Sequence, residues 1–142
     1  MDFTDTHANS LGWLLDSELG ALDGVRCAVL VSVDGLIHSR TSSLTQDEGE
    51  RHAAIASGLR ASARAYSEAF AGGGVRQILL EFNEHMCLIT STGVNLLLLV
   101  QTTGPDVDIA TITHQMGVLG GRVGDHLNVA SRLAGGDEGA AG

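Results

Sequence analysis

The stretch at residues 75–101 reads VRQILLEF-NE-HMCLITST-G-VNLLLLVQ and contains three apolar runs of strand length. Asn83-Glu84 and Gly93 separate these runs, which leaves no room for a connecting helix. Connections this short join antiparallel neighbours, so the stretch predicts a three-stranded meander. The third run is apolar at nearly every position, which predicts a central strand buried on both faces.

The first run of the meander, residues 75–82, alternates on one side. One face carries a mixture of apolar and polar residues, and the other is entirely apolar: Val75, Gln77, Leu79 and Glu81 against Ile78, Leu80 and Phe82. This pattern is typical of a strand at the edge of a sheet. An exposed edge of this length invites pairing with another chain.

The composition restricts the kind of protein that the sequence can encode. The 142 residues suffice for one domain, and the net charge is −9 with arginine as the only basic residue besides histidine. Such acidity disfavours binding to nucleic acid or anionic lipid, and the lack of lysine excludes a P-loop. The apolar runs are too short to span a membrane, and the polar start does not resemble a signal peptide. We therefore expect a cytoplasmic protein without direct membrane insertion.

The rest of the chain completes a regular order of elements. A leucine-rich helix follows Asn9-Ser10, which can cap it, and a strand at 25–33 is joined to a return strand at 36–40 by the hairpin signal Asp34-Gly35. Helices are predicted from Gln46 to Phe70 and from Asp106 to Leu133. The order α-β-β-α-β-β-β-α predicts an α+β fold, a five-stranded antiparallel sheet with helices on both faces. We expect a disordered N-terminus at 1–8, a domain at 9–134 and a flexible tail at 135–142.

The long middle helix carries two apolar stripes. Its large residues predict the face that packs on the sheet: Ile55, Leu59, Tyr66 and Phe70. Its small residues form a second stripe: Ala54, Gly58, Ala61 and Ala65. Because glycine inside a helix costs up to about 1 kcal/mol relative to alanine, Gly58 predicts close approach of another element.

The sequence contains no recognisable catalytic, cofactor or metal motif. The six histidines are scattered, Cys27 and Cys87 lie in different predicted strands, and the carboxylates form no convincing acid–base pair. The segment GVLGGRVG at 117–124 lies inside a predicted helix and does not match a phosphate-binding loop. Close helix packing or a kinked helix remain as interpretations of its glycines. The arginines of the middle helix, Arg51, Arg60 and Arg64, are either a solvated face or an interaction site.

The chain resembles the roadblock / dynein light-chain domain family over about residues 9–134. The resemblance rests on the element order, on the closing meander and on the opening LGWLLDSELGALDGVRCAVLVSVDGLIHSR at 11–40. Within the family, the chain looks like the bacterial branch, including actinobacterial members encoded beside a sensor kinase and a Ras-like small GTPase. The glycines of the middle and last helices depart from regular helix packing.

The resemblance implies a non-enzymatic homodimer that binds or regulates a small GTPase, with a sensor histidine kinase as a further partner. The implied interface joins the edge strand at 75–82 and the helix at 48–70 to their copies, with these residues at its centre: Ala54, Gly58, Ala61, Ala65, Val75, Gln77, Leu79 and Glu81. Arg51, Arg60 and Arg64 are the candidates for GTPase contact. The alternatives are a PAS- or GAF-like small-molecule sensor, which needs a roomy pocket, and a small enzyme.

Overall fold

The computed structural model describes residues 9–93 and 95–141, with side chains described as far as Leu127. Val94 and the N-terminus at 1–8 lie outside the described residues. The elements follow in chain order: α1 Gly12–Leu15 with a π-helical turn Asp16–Gly20, β1 Val25–Ser32, β2 Ile37–Arg40, α2 Gln46–Phe70, β3 Gln77–Glu81, β4 Met86–Ser91, β5 Leu96–Thr102 and α3 Ile109–Ala141. The predicted α+β fold and element order are confirmed.

The five strands form one antiparallel sheet in the order β2-β1-β5-β4-β3. β5 lies in the middle, and its residues 97–100 are buried. β3 lies at the edge and pairs with β4 on one side, with Gln77 opposite Thr90 and Glu81 opposite Met86. Both positions were predicted from the apolar patterns of the meander.

Alternating residues of the central strands supply two separate cores. Leu98 and Val100 of β5 face α1 and α3, where Leu15, Leu19 and Met116 complete the packing. The neighbouring residues Leu97 and Leu99 face α2 on the other side of the sheet. Helices therefore cover both faces, as the doubly apolar strands require.

Local signals set the limits of α2 but not those of α1. Thr45 begins α2 with a capping box, in which its Oγ1 accepts from the Glu48 N–H at 3.2 Å and Glu48 Oε1 accepts from the Thr45 N–H at 3.0 Å. The expected cap of the first helix by Asn9 or Ser10 is wrong, because α1 begins without a side-chain cap. Asn9 Oδ1 instead accepts a hydrogen bond from the Arg40 N–H at 2.8 Å.

The prediction that large apolar residues of α2 face the sheet is wrong for three of the four. Ile55, Tyr66 and Phe70 are exposed by 55%, 70% and 71%, and Leu59 is half-buried. The sheet-facing residues of α2 are the small ones Gly49, Ala53 and Ala56. An added Cβ at Gly49 would lie 2.5 Å from Ile37 Cδ1, so α2 approaches β2 closely at this point.

The last helix is longer than expected and continuous. α3 extends to Ala141, whereas the sequence predicted an end near Leu133. The flexibility of residues 135–142 stays a prediction. None of the helices in the described ranges is both long and apolar enough to cross a bilayer.

We expect two Gly→Ala substitutions to have opposite effects on stability. Gly24 has φ +89°, and an added Cβ would lie 3.1 Å from Val107 Cβ, so Gly24→Ala destabilises the fold by about 1–3 kcal/mol. Gly121 lies in α3 with no atom of the described residues within 4 Å of an added Cβ, so Gly121→Ala stabilises by up to about 1 kcal/mol. Urea unfolding at one protein concentration measures both. A stabilised Gly24→Ala variant would show that a Cβ is tolerated at this positive φ, which would contradict the expected strain.

Candidate interaction surface

The two edges of the sheet differ in how they are protected. At the β2 edge, the start of the chain binds the strand, because the Leu11 N–H donates to Ser39 Oγ at 3.1 Å and Asn9 binds Arg40. β3 has no such covering segment within the described ranges, and its residues are exposed or half-buried. β3 is therefore the edge that is open to another strand.

One flank of α2 faces this open edge. Ser57 Oγ donates to the Val33 carbonyl at 2.9 Å, so the flank of α2 that carries Ser57 faces the β1–β2 hairpin. Ile55 lies about half a turn away from Ser57 and therefore faces the β3 side of the sheet. α2 packs over β1, β2 and β5, and Leu59 of α2 and Ile78 of β3 border the same core on this face of the sheet.

Exposed apolar side chains concentrate around this edge. The described residues expose eight large apolar side chains, and five of them belong to this flank of α2 or to the β3 region: Ile55, Tyr66, Phe70, Leu79 and Phe82. The Tyr66 and Phe70 rings contact each other with centroids 4.9 Å apart. Clusters of this kind mark interaction sites more often than isolated exposed residues do. We call this set the apolar edge surface.

The predicted interface residues lie on two different faces. Gln77, Leu79 and Glu81 are exposed on β3, and Val75 is half-buried just before it. The stripe of Ala54, Gly58, Ala61 and Ala65 is exposed and turned away from the sheet rather than toward the β3 side. The expected packing reason for Gly58 is not found among the described residues, because an added Cβ meets none of their atoms within 4 Å. Sequence reasoning missed Tyr66 and Phe70 as surface residues because it assigned them to the core.

The three candidate arginines do not form one strip. Arg60 and Arg64 lie one turn apart on the same flank, whereas Arg51 lies nine residues from Arg60, about two and a half turns away, on the opposite flank. Arg64 forms an exposed ion pair with Glu68, with Nε and Oε1 3.1 Å apart. Arg60 is half-buried, and its Nε has no hydrogen-bond partner in the described part of the chain.

A polar cavity of about 590 Å³ lies at the opposite end of α2 from the Tyr66–Phe70 pair. Cys27 lies at its base, where its thiol donates to Gln101 Oε1 at 3.7 Å and Sγ is 4.0 Å from His52 Nε2. Burial raises the pKa of Cys27 to about 11, and burial also lowers the pKa of His52. Both groups are therefore neutral near pH 7, and the pair lacks the thiolate that nucleophilic catalysis uses.

Metal binding has no visible basis in the residues that the structure describes. No group of three or more histidine, cysteine, aspartate or glutamate side chains there is arranged to hold a metal ion. Cys27 and Cys87 lie on either side of Gln101, on strands that β5 separates. Burial raises the pKa of the Cys87 thiol to about 11 as well, as expected for a packed thiol.

Comparison with known proteins identifies the fold family. Residues 11–102 match the family model described as Roadblock/LC7 domain. A Roadblock/LC7 domain from Streptomyces avermitilis is 31% identical with a TM-score of 0.77, covering 82% of this chain and 97% of that one. MglB from Myxococcus xanthus shares the fold at 12% identity, with a TM-score of 0.72 and coverage of 91% and 93%. No curated protein sequence matches the chain.

The chain belongs to the Roadblock/LC7 family. The resemblance seen in the opening helix, hairpin and meander is thereby confirmed. This family assignment does not favour the PAS- or GAF-like alternative.

We expect His52 to make stability depend on pH. Its pKa is lower in the folded protein than in the unfolded chain, so the folded state binds fewer protons and loses stability as pH falls through about 6.5. Urea midpoints at about pH 7.5 and about pH 5.0 should differ more in the wild type than in His52→Gln. His114→Gln, an exposed change on α3, serves as the control. Equal pH dependence in the wild type and His52→Gln would contradict this role of burial.

Proposed function

We propose that the protein is a homodimeric, non-enzymatic regulator that binds a Ras-like small GTPase within a bacterial signalling complex. The carrying observation is the apolar edge surface, which joins an open strand to a helix flank that the protomer leaves exposed. Membership of the Roadblock/LC7 family supports a regulatory role. We further propose that the protein is cytoplasmic and that a sensor histidine kinase is another partner.

The dimer pairs β3 with its copy across a twofold axis, so that the two sheets form one. Strand pairing satisfies the outward N–H and C=O groups of β3, and the neighbouring α2 helices then pack side by side. Ile55, Tyr66 and Phe70 lie on the flank of α2 that such packing would bury. Burial of large aromatic side chains contributes strongly to association.

The GTPase docks on the outward side of α2. This side is flat because it carries the small stripe of Ala54, Gly58, Ala61 and Ala65, and the twofold axis repeats it on the partner. Arg51 and Arg64 are exposed at opposite borders of this side, where they supply local positive charge on an acidic protein. The neutral Cys27–His52 pair supplies no nucleophile, which is consistent with regulation of a partner's hydrolysis rather than an activity of its own.

We expect Leu79→Arg to convert the dimer into monomers. The substitution places a charge at the strand junction, and one unpaired buried charge costs about 3 kcal/mol, which weakens the dimer roughly a hundredfold. Light scattering behind a sizing column measures the mass. Leu36→Arg is the matched control, because Leu36 is also exposed but lies at the β1–β2 hairpin away from the surface.

Tyr66→Glu keeps this test valid if Leu79→Arg does not fold. Tyr66 is 70% exposed in the protomer, so the protomer tolerates the change while the α2–α2 contact does not. If the wild type is a monomer, the proposed dimer does not exist. If the dimer persists in both variants, its interface lies elsewhere on the protein.

We expect neutralisation of Arg51 and Arg64 to weaken binding of the GTPase without dissociating the dimer. The Arg51→Gln, Arg64→Gln variant should bind about tenfold more weakly, mainly through slower association and with a smaller salt dependence. The probe is the small GTPase encoded nearest to this gene, loaded with GDP or a GTP analogue.

Arg122→Gln is the control for loss of positive charge. Arg122 contacts Glu18 on the α3 side, away from α2, and should leave affinity unchanged. If the wild type and the double variant bind the GTPase with equal affinity, Arg51 and Arg64 do not contribute to the docking surface. If the wild type binds neither the GDP form nor the GTP-analogue form of the GTPase, the proposed partner is wrong.

A further inference from the structure

The polar cavity of about 590 Å³ lies between the first turns of α2 and the sheet, where β1 begins and β5 ends. Its volume falls within the range of about 300–1,000 Å³ that is typical of small-molecule sites. Polar side chains converge on it from β1, α2, the β3–β4 turn and β5: Arg26, Glu48, His52, His85 and Gln101. The dimer and the GTPase contact of the proposed function use none of these five side chains.

A β-bulge in β1 turns Arg26 into this cavity. Val25 pairs with Thr102, but two residues further along β1 the partner has moved by only one residue on β5, so Arg26 is the extra residue. The bulge also exchanges the faces of the strand, because Val25 packs in the core under α1 and α3 whereas Cys27 packs in the core under α2. In a regular strand Arg26 would lie on the face opposite Cys27, and here both line the same cavity. Bulges that re-aim a side chain in this way are over-represented next to active sites.

Arg26 and Glu48 present opposite charges to the cavity without pairing with each other. Neither belongs to an ion pair among the residues that the structure describes, and both are exposed. Hydrogen bonds from Thr45 are the main reason that the pKa of Glu48 lies below its ordinary value, and the charge of Arg26 lowers it further. Glu48 is therefore ionised near pH 7, as arginine always is, and the cavity holds one fixed cation and one fixed anion.

The floor of the cavity is uncharged. Burial keeps both the Cys27 thiol and the His52 imidazole neutral near pH 7, through the raised pKa of the first and the lowered pKa of the second. Gln101 Oε1 accepts from the Cys27 thiol at 3.7 Å, while the two N–H donors of the Gln101 amide have no partner among the described residues. The floor therefore suits an uncharged polar group that accepts hydrogen bonds.

The cavity borders the apolar edge surface. The His85 ring lies against the Phe82 ring with centroids 5.5 Å apart. His52 and Ile55 together line an adjoining cavity of about 190 Å³. A molecule bound beside His85 therefore lies one side chain away from the surface of the proposed dimer.

We infer that this cavity binds a small zwitterion of the α-amino-acid class, with an uncharged polar side chain. Its carboxylate pairs with Arg26, whose planar guanidinium matches a carboxylate with two parallel hydrogen bonds. Its ammonium group pairs with Glu48, and its side chain accepts from Gln101. An α-amino acid carries both charges on one carbon atom, so it fits between two side-chain ions that do not pair directly. The site lies within one protomer, so this inference goes beyond the proposed function and does not depend on the dimer.

The test uses L-glutamine and L-asparagine as probes and isothermal titration calorimetry on the full-length protein. We expect saturable binding of at least one of them by the wild type. Arg26→Gln and Glu48→Gln should each weaken this binding about tenfold or more, because each substitution removes a charge-assisted hydrogen bond. Glutamine also serves as the third residue of a capping box, so Glu48→Gln preserves the start of α2.

Arg122→Gln and Glu50→Gln are the matched controls for the two changes of charge. Arg122 contacts Glu18 on the α3 side, and Glu50 bonds to Gln46 of α2 and does not line the cavity. Both control variants should bind like the wild type. The N-acetyl derivative of the bound amino acid lacks the ammonium charge and its α-amide lacks the carboxylate, so each should bind about tenfold more weakly or worse.

Loss of affinity in Arg26→Gln and Glu48→Gln, with unchanged controls, supports the site. Equal affinity of the wild type and these two variants, or no saturable binding of either amino acid, would overturn it. If the N-acetyl derivative binds as tightly as the amino acid, the cavity takes anions rather than zwitterions and the inference is wrong. The mass of the protein on the sizing column is a separate measurement, so failure of this site and failure of the proposed dimer are distinguishable.

Discussion

The burial of β5 on both faces is the constraint on which the rest of the structure depends. Leu97 and Leu99 need cover on one side of the sheet, and Leu98 and Val100 need it on the other. α2 supplies the first cover, and α1 with α3 supplies the second. Because β5 must be central, β1 and β4 flank it, and β2 and β3 become the edges. Asn9 and Leu11 then bind β2, which leaves β3 as the open edge in the part of the chain that the structure describes.

The sheet was predictable because its signals are local. The short turn at Asn83-Glu84 requires antiparallel neighbours, and the unbroken apolar run of β5 requires a central position. The limits of α2 were predictable as well, since acidic residues follow its capping Thr45 and glycines follow its last turn. The edge position of β3, the basis of the interaction surface, follows from the same alternation.

The orientation of α2 was not predictable from periodicity. The spacing of Ile55, Tyr66 and Phe70 shows that one flank is apolar, but it does not say whether the sheet of the same chain or another molecule covers that flank. Ala53 and Ala56 face the sheet because small side chains let the helix lie close to it. Large apolar residues are expected to be buried before small ones, so the sequence analysis assigned the core-facing side of α2 to its large residues. The separation of Arg51 from Arg60 and Arg64, by contrast, follows from helical spacing alone and was readable from the sequence.

The arrangement of α2 couples folding to association in the proposed dimer. The fully buried residues on its sheet-facing side are small, and Leu59 is the one large apolar residue that packs there, half-buried, so the helix gains little apolar burial from its own sheet. Most of its large apolar area lies on the flank that faces β3 and gains burial only when a second copy binds. Association therefore contributes to the stability of α2 itself, and the apparent stability should rise with protein concentration. The side of α2 turned away from the sheet takes no part in this packing, which leaves it free to meet a partner.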